Sequence, residues 1–216
     1  MTADLFDAVP DAPSQEPMGE GAVLLRGFAR DNVSDLIEDF LAVIAQAPFR
    51  HMVTPGGHTM SVAMTNCGAV GWVTDSDGYR YSPVDPKTNQ PWPAMPALFR
   101  QLAEQAAAAA GFAGFAPDAC LINRYTSGAK MSLHQDKDET DFDAPIVSVS
   151  LGLPATFLFG GLKRSDTPRR FRLSHGDVVV WGGPSRLAYH GIAPLMKGSH
   201  VVMGTQRINL TFRKAR

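Results

Sequence analysis

From Gly114 onward the chain breaks into short β-rich runs, residues 120–125, 146–151, 155–159, 170–173, 178–181, 186–190 and 207–213, each bounded by Gly, Pro or Asp turns. Runs this short are not stable alone, so they must pair and bury a shared face. The last run defines that face most sharply. In Arg207-Ile208-Asn209-Leu210-Thr211-Phe212-Arg213, strict alternation sends Ile208, Leu210 and Phe212 to one side and Arg207, Asn209, Thr211 and Arg213 to the other. The apolar side belongs in a core. A row with two guanidiniums is expensive to bury unless an anion lies there. On a strand rising ~3.3 Å per residue, the two Arg Cα atoms stand about 20 Å apart, and long side chains can still converge on a small dianion. The competing reading is an outer, solvated face.

Two helical segments precede the strands. From Asn32 or Ser34, both good N-caps, Val33, Leu36, Ile37, Phe40, Val43, Ile44 and Ala47 recur at helical spacing until Pro48 ends the run. A second helix follows Pro96 over residues 97–110 and closes at Gly111. Residues 22–25 read as a first strand, and residues 1–20, acidic and rich in Pro and Ala, as an N-terminal arm. Between the helices, residues 51–95 interleave aromatics with Gly and Pro, the pattern of a binding lid or of a set of short strands. Helices ahead of antiparallel strands predict an α+β fold that is mainly β: a double-stranded β-helix (jelly roll) with supporting N-terminal helices. The 216 residues read as a single domain over 21–216 with its jelly-roll core at 120–213.

The charge is uneven. Residues 1–120 carry 6 Lys/Arg against 14 Asp/Glu, and residues 121–216 carry 14 against 7, which reads either as a C-terminal part facing an anionic partner or as solvated charges scattered on opposite faces. Cys67 and Cys120 have no CxxC spacing and read as reduced thiols of a cytoplasmic protein. The N-terminus lacks the basic and apolar regions of a secretory signal. No run reaches the roughly 18 apolar residues of a membrane span.

His134 and Asp136 lie two apart, so an extended backbone projects both from one face. An imidazole and a carboxylate so placed supply two of the three ligands of the two-His-one-carboxylate triad that holds non-haem Fe(II) with open positions. His175-Gly176-Asp177 repeats the pattern, but Gly176-Asp177 reads as a turn feeding the strand at 178–181, with His175 beside it. For the third ligand His190, at the end of the run 186–190, is preferred over His200, His51 and His58, which sit in loops.

The motifs in combination resemble the bacterial AlkB family of Fe(II)/2-oxoglutarate-dependent DNA dealkylating dioxygenases, from about Leu24 to Arg213. The likeness is carried by Met52-Val53-Thr54-Pro55-Gly56-Gly57, Met60-Ser61-Val62-Ala63-Met64-Thr65-Asn66-Cys67-Gly68, Trp92-Pro93-Ala94-Met95-Pro96 and Cys120-Leu121-Ile122-Asn123-Arg124-Tyr125. It continues through His134-Gln135-Asp136-Lys137-Asp138-Glu139, Phe159-Gly160-Gly161-Leu162-Lys163-Arg164, the stretch 175–183 and Asn209-Leu210-Thr211-Phe212-Arg213. The resemblance implies Fe(II) on His134, Asp136 and His190. It implies 2-oxoglutarate between Arg207 and Arg213, with Asn123, Arg124, Tyr125 and Asn209 around it, and O2 as the second co-substrate. It further implies a methylated base against Trp72 and Tyr79, with Arg80, Tyr81, Asp138 and Arg164 completing the contacts. The implied reaction is direct-reversal repair of 1-methyladenine and 3-methylcytosine in single-stranded DNA, with RNA or base-flipped duplex as further partners, by a monomer that meets no membrane. Formaldehyde, succinate and CO2 would be released. Two departures stand out: His58 where a close relative carries Tyr, and Ile208 where it carries an aromatic residue. Two other readings compete, a hydroxylase of a protein side chain or metabolite using the same iron, and a catalytically silent jelly roll that only binds nucleic acid.

Overall fold

The structure, a computed structural model, describes residues 14–216. It begins with a hairpin in which β1 (Ser14–Gly19) pairs antiparallel with β2 (Ala22–Arg26), with a register break between Pro17 and Gly19. The arm expected over residues 1–20 is therefore an edge strand from Ser14 on, and residues 1–13 lie outside the described residues. Helix α1 (Val33–Gln46) follows, with Asn32 at its N-cap position although the Asn32 side chain makes no capping bond. Helix α2 (Ala97–Ala109) starts directly after Pro96. Between the helices lie β3 (Arg50–Val53), β4 (Thr59–Gly68), β5 (Gly71–Asp75) and β6 (Gly78–Ser82).

The remaining strands are β7 (Ala119–Tyr125), β8 (Met131–His134), β9 (Ile146–Gly152), β10 (Ala155–Phe159), β11 (Arg169–Leu173), β12 (Val178–Trp181), β13 (His190–Ile192) and β14 (Arg207–Arg213). An eight-stranded sheet runs β1-β2-β12-β9-β14-β7-β4-β3, and a four-stranded sheet runs β11-β10-β13-β8. This is the jelly roll expected from the sequence. Within the lid expected over residues 51–95, β3 and β4 extend the large sheet, and the β5–β6 hairpin forms a separate two-stranded sheet. The run expected at 186–190 is also shorter than anticipated. Residues Gly183–Ser185 form a 3₁₀ turn and the strand starts only at His190. Arg186 leaves the strand pattern because its buried guanidinium is fixed by the carbonyls of Ala144 and Asp136 and by Glu139.

The central strands of the large sheet, β7, β9, β12 and β14, are buried on both faces, whereas the edge strands β1 and β3 are largely exposed. Val179 and Trp181 of β12 join the cluster between the two sheets, with Phe157, Phe159 and Phe171, while Val178 and Val180 join the cluster beneath the helices. There Ile208, Leu210 and Phe212 pack against Phe99, Leu102 and Ala106 of α2, as the alternation of β14 dictates. Phe99 meets Phe212 edge-on with centroids 5.9 Å apart. Truncating either ring to Ala would cost about 3–5 kcal/mol. Among the described residues no helix is long and apolar enough to cross a membrane.

Candidate active site

The small sheet creates the site by register. On β8 and β13, His134 and His190 are directly opposed, and their rings lie 4.4 Å apart. Asp136, two residues beyond the end of β8, turns back between them. Its Oδ1 is 3.6 Å from Nε2 of His134 and its Oδ2 is 3.8 Å from Nε2 of His190. One ligand atom from each of the three residues falls within 4.8 Å of the others, and no other such group occurs among the described residues. The tautomers suit metal binding. Nδ1 of His134 lies 2.9 Å from the Ser132 carbonyl and Nδ1 of His190 lies 3.0 Å from the Ala188 carbonyl. Each Nδ1 therefore keeps its proton as a donor, and each Nε2 presents a lone pair to the centre.

Burial alone would raise the Asp136 carboxyl. The opposing charges of Arg213, His190 and His134 outweigh it, and the carboxyl is held well below the usual range. Burial, reinforced by the neighbouring His134, pushes His190 down to about 4, so its imidazole is neutral near pH 7. Arg213 donates to Asp136 Oδ2 from both Nε (2.9 Å) and Nη2 (2.6 Å), two charge-assisted bonds that anchor that oxygen.

Behind the triad lies an inner cavity of about 50 Å³, lined by Asn123, Tyr125, Ser148, Trp181, Arg207, Asn209, Thr211 and Arg213 among others. One water needs roughly 10–15 Å³ of such space, so the cavity suits a small molecule. The inward row of β14 thus lies where the alternation sends it. Arg207 is 1% exposed, and its Nη2 donates to Ser150 Oγ at 3.0 Å. Its Nε and Nη1 are buried without a partner, as is Oδ1 of Asn123. Burial depresses the Arg207 guanidinium below its ordinary value. A carboxylate, with acceptor lone pairs on both oxygens, is the kind of group that would give this buried cation the partners it lacks. Asn209 is locked by Ser148 Oγ (2.8 Å) and the Val149 carbonyl (3.0 Å), and its Oδ1 accepts from Thr211 (3.0 Å) and Asn123 (3.4 Å). Arg124 does not join them. On β7 it alternates away from Asn123 and Tyr125, and its guanidinium lies 4.6 Å over the Phe49 ring.

In front of the triad an outer cavity of about 590 Å³ is lined by Trp72, Tyr79, Asp138 and Arg164 as expected, and also by Met60, Met64, Lys130 and Met131. Trp72 and Tyr79 stack with centroids 5.7 Å apart and planes 20° apart. Nε1 of Trp72 donates to Asp138 Oδ2 at 2.8 Å, which sets the angle of the indole. Arg164 lies 5.9 Å over the Tyr189 ring. The structure places Arg80 and Tyr81 elsewhere. Arg80 forms a two-point pair with Asp75 inside its own hairpin, and the Tyr81 hydroxyl donates to Glu139 Oε1 at 2.6 Å. Neither lines the cavity. His175 lies outside both cavities, accepting the Gly152 N–H at Nδ1 (2.8 Å), while His58 stands on the rim of the outer one.

Local sequence patterns missed Ser148, Ser150, Trp181, Glu139 and Arg186. Glu139 and Arg186 form a buried ion pair at 3.1 Å across 47 positions of sequence, a separation that no periodicity reveals.

A jelly roll that presents two imidazoles and a carboxylate between an arginine-lined inner cavity and an aromatic outer one has the build of a metal-dependent oxygenase. Residues 21–213 match the family model of the 2OG-Fe(II) oxygenase superfamily. The chain belongs to that superfamily, as an Fe(II)- and 2-oxoglutarate-dependent dioxygenase. It is 63% identical over 212 residues, covering 98% of each chain, to the alpha-ketoglutarate-dependent dioxygenase AlkB of Escherichia coli strain K12. The nucleic acid dioxygenase ALKBH1 of Mus musculus is 37% identical over 122 residues, 56% of this chain and 31% of that protein. The solved structure of OsALKBH1 superposes with a TM-score of 0.80 at 29% identity, covering 93% of this chain and all of that one. The residues present fit the cofactors: a hard-to-borderline donor set for Fe(II), and buried, unpartnered guanidinium edges for the oxo acid.

Proposed function

We propose that the chain removes methyl groups from alkylated bases, 1-methyladenine and 3-methylcytosine, in single-stranded DNA, and from RNA or flipped-out bases of duplex that reach the same cavity. The observation that supports this best is the position of the triad. It lies where the two cavities meet, and both are lined by Leu121, Met131, His134 and Arg213. An oxo acid gripped from behind and a base stacked in front would face the same atom.

In this reading His134, Asp136 and His190 hold the iron through two Nε2 atoms and a carboxylate oxygen. When bound, iron and 2-oxoglutarate supply an O2-dependent oxidation that yields succinate and CO2 and places a hydroxyl on the methyl carbon of the base. The hydroxymethyl group then leaves as formaldehyde. Arg207 would hold a carboxylate of the oxo acid, with Asn123, Tyr125 and Asn209, which line the same inner cavity, around it. Arg213 keeps Asp136 ionised and oriented. Trp72 and Tyr79 clamp the base, and such stacking contributes ~1–3 kcal/mol per base. Asp138 sets a carboxylate beside a base made cationic by methylation, so charge complementarity favours the lesion over the undamaged base. Arg164 and Lys130 stand on the rim where phosphates would pass. Cys67 and Cys120 are both free and buried, in keeping with a reducing, cytoplasmic setting.

The test is direct. The protein loaded with Fe(II) and 2-oxoglutarate is mixed with O2 and a single-stranded oligonucleotide carrying one 1-methyladenine, and the oligonucleotide is weighed by mass spectrometry. Loss of the mass of one methylene supports the reading. Succinate release with an unchanged oligonucleotide would move the substrate to a protein or metabolite, and no succinate at all would leave only a binding module.

A further inference from the structure

Tyr81 lines neither cavity and Glu139 lines the outer one, and the two belong to a buried polar cluster that reaches Asp136. Glu139 is 6% exposed. Its Oε1 accepts the Tyr81 hydroxyl at 2.6 Å and lies 3.3 Å from Arg213 Nε, and its Oε2 accepts Arg186 Nη2 at 3.1 Å. Both guanidiniums also grip Asp136. Arg213 donates to its carboxylate from Nε (2.9 Å) and Nη2 (2.6 Å), and Arg186 Nη1 donates to its backbone carbonyl at 2.8 Å. The side chain and the main chain of Asp136 are therefore held by two cations that share one anchor.

The other end of the cluster is the β5–β6 hairpin. Trp72 and Tyr81 are directly opposed across it, and they bond to consecutive residues of the loop after β8: Trp72 to Asp138 at 2.8 Å and Tyr81 to Glu139 at 2.6 Å. The strand pair that carries the aromatic wall is thus pinned at two adjacent points to the segment that carries Asp136.

We propose that Tyr81 and Glu139 are positioning residues that act through Arg213 and Arg186 on Asp136, so that seating of the base-binding hairpin sets the geometry of the metal site. The logic is competition for one donor. Arg213 Nε lies between Asp136 Oδ2 and Glu139 Oε1, and the Tyr81 hydroxyl, by supplying Oε1, leaves Nε to Asp136. Remove that hydroxyl and Oε1 draws Nε away from the carboxylate. The inference rests on Asp136 being an iron ligand, and it departs from Tyr81 as a substrate contact.

The experiment titrates Co(II) into the full-length protein with 2-oxoglutarate present, following the visible Co(II) absorption, for the wild type, Tyr81→Phe, Glu139→Gln, the double variant and His134→Ala. In parallel, KM for the methylated oligonucleotide is measured with Fe(II). Groups that orient metal ligands typically contribute 10–100-fold in affinity, so one step further out Tyr81→Phe should weaken Co(II) binding by ~3–10-fold with a shifted spectrum. Its oligonucleotide KM should change by less than its Co(II) affinity, because the Trp72–Asp138 bond still holds the hairpin. The double variant should be no weaker than Glu139→Gln, because both act along one route. Wild-type Co(II) affinity and spectrum in Tyr81→Phe, with a raised oligonucleotide KM, would overturn the proposal and make Tyr81 a substrate contact. If Glu139→Gln fails to fold, Tyr81→Phe decides alone, since it deletes a single oxygen from a partly buried ring. His134→Ala separates the two levels. Loss of Co(II) binding there with an unaltered Tyr81→Phe sinks only this proposal, whereas unaltered binding in His134→Ala sinks the triad reading and this proposal with it.

Discussion

Arg207 and Tyr125 are directly opposed on β14 and β7, and the guanidinium lies 5.1 Å over the phenol ring with its Nε and Nη1 buried and unpartnered. A buried cation left short of acceptors weakens the ligand-free fold, because desolvation is only partly offset. Arg207→Met keeps the volume and removes the charge. The ligand-free variant should unfold within about 1 kcal/mol of the wild type. The thermal stabilisation that 2-oxoglutarate gives the wild type should vanish. Differential scanning fluorimetry with and without the oxo acid checks both halves, and a variant still stabilised by it would remove Arg207 from the cofactor site.

The Trp72–Tyr79 stack makes a separate prediction. Trp72→Ala removes one face of the clamp, and a loss of ~1–3 kcal/mol raises the oligonucleotide KM by roughly 5–150-fold. Binding of 2-oxoglutarate, measured by calorimetry, should be untouched, since the inner cavity does not include Trp72. Equal losses in both would mean that the indole supports the fold and not the substrate.

Gly191 sits where β13 passes β8, one residue after His190. A Cβ at this position would lie 2.6 Å from the Met131 carbonyl oxygen and 3.2 Å from the Leu133 amide nitrogen, both backbone atoms that cannot turn aside. Gly191→Ala should therefore pry apart the two strands that oppose His134 to His190. We expect about 1–3 kcal/mol of destabilisation together with a loss of metal affinity larger than the stability change explains. Equilibrium urea unfolding and Co(II) titration on the same sample test the pair of effects, and destabilisation with intact metal affinity would contradict the register argument.

Most of this architecture was legible beforehand, and the exceptions share a cause. The face of β14 followed from its alternation, and the triad followed from an H-x-D pair plus a histidine at a strand end. The same alternation, applied to β7, already separates Arg124 from Asn123 and Tyr125, yet the resemblance placed all three around the oxo acid. Tyr81 and Arg186 were a different matter. Their partner Glu139 lies 58 and 47 positions away, and only the packed fold brings these groups together. The strand at Ser14–Gly19 was hidden because Pro17 and a register break interrupt its pattern.

His175 supplies the pH dependence. Burial, with the charges of His200 and Arg30 adding to it, lowers its pKa to about 4, and its Nδ1 accepts the Gly152 N–H. The unfolded chain, with a histidine near 6.5, binds this proton more readily than the folded one, so stability falls as pH drops from about 6.5 to about 4 and levels off below. Because the ring is only partly buried, the effect should be on the order of 1–2 kcal/mol. Chemical denaturation across that range should show the slope in the wild type and a flatter one in His175→Gln. An equal slope in both would assign the acid lability to other groups.

The central claim is that a single site couples oxo acid consumption to dealkylation. The most direct measurement is the ratio of formaldehyde to succinate formed by the Fe(II)-loaded protein on a single-stranded oligonucleotide bearing 3-methylcytosine, beside the Asp136→Ala variant. Equal amounts of both products are expected from the wild type and neither from the variant. Succinate without formaldehyde, or dealkylation that survives the loss of Asp136, would contradict it.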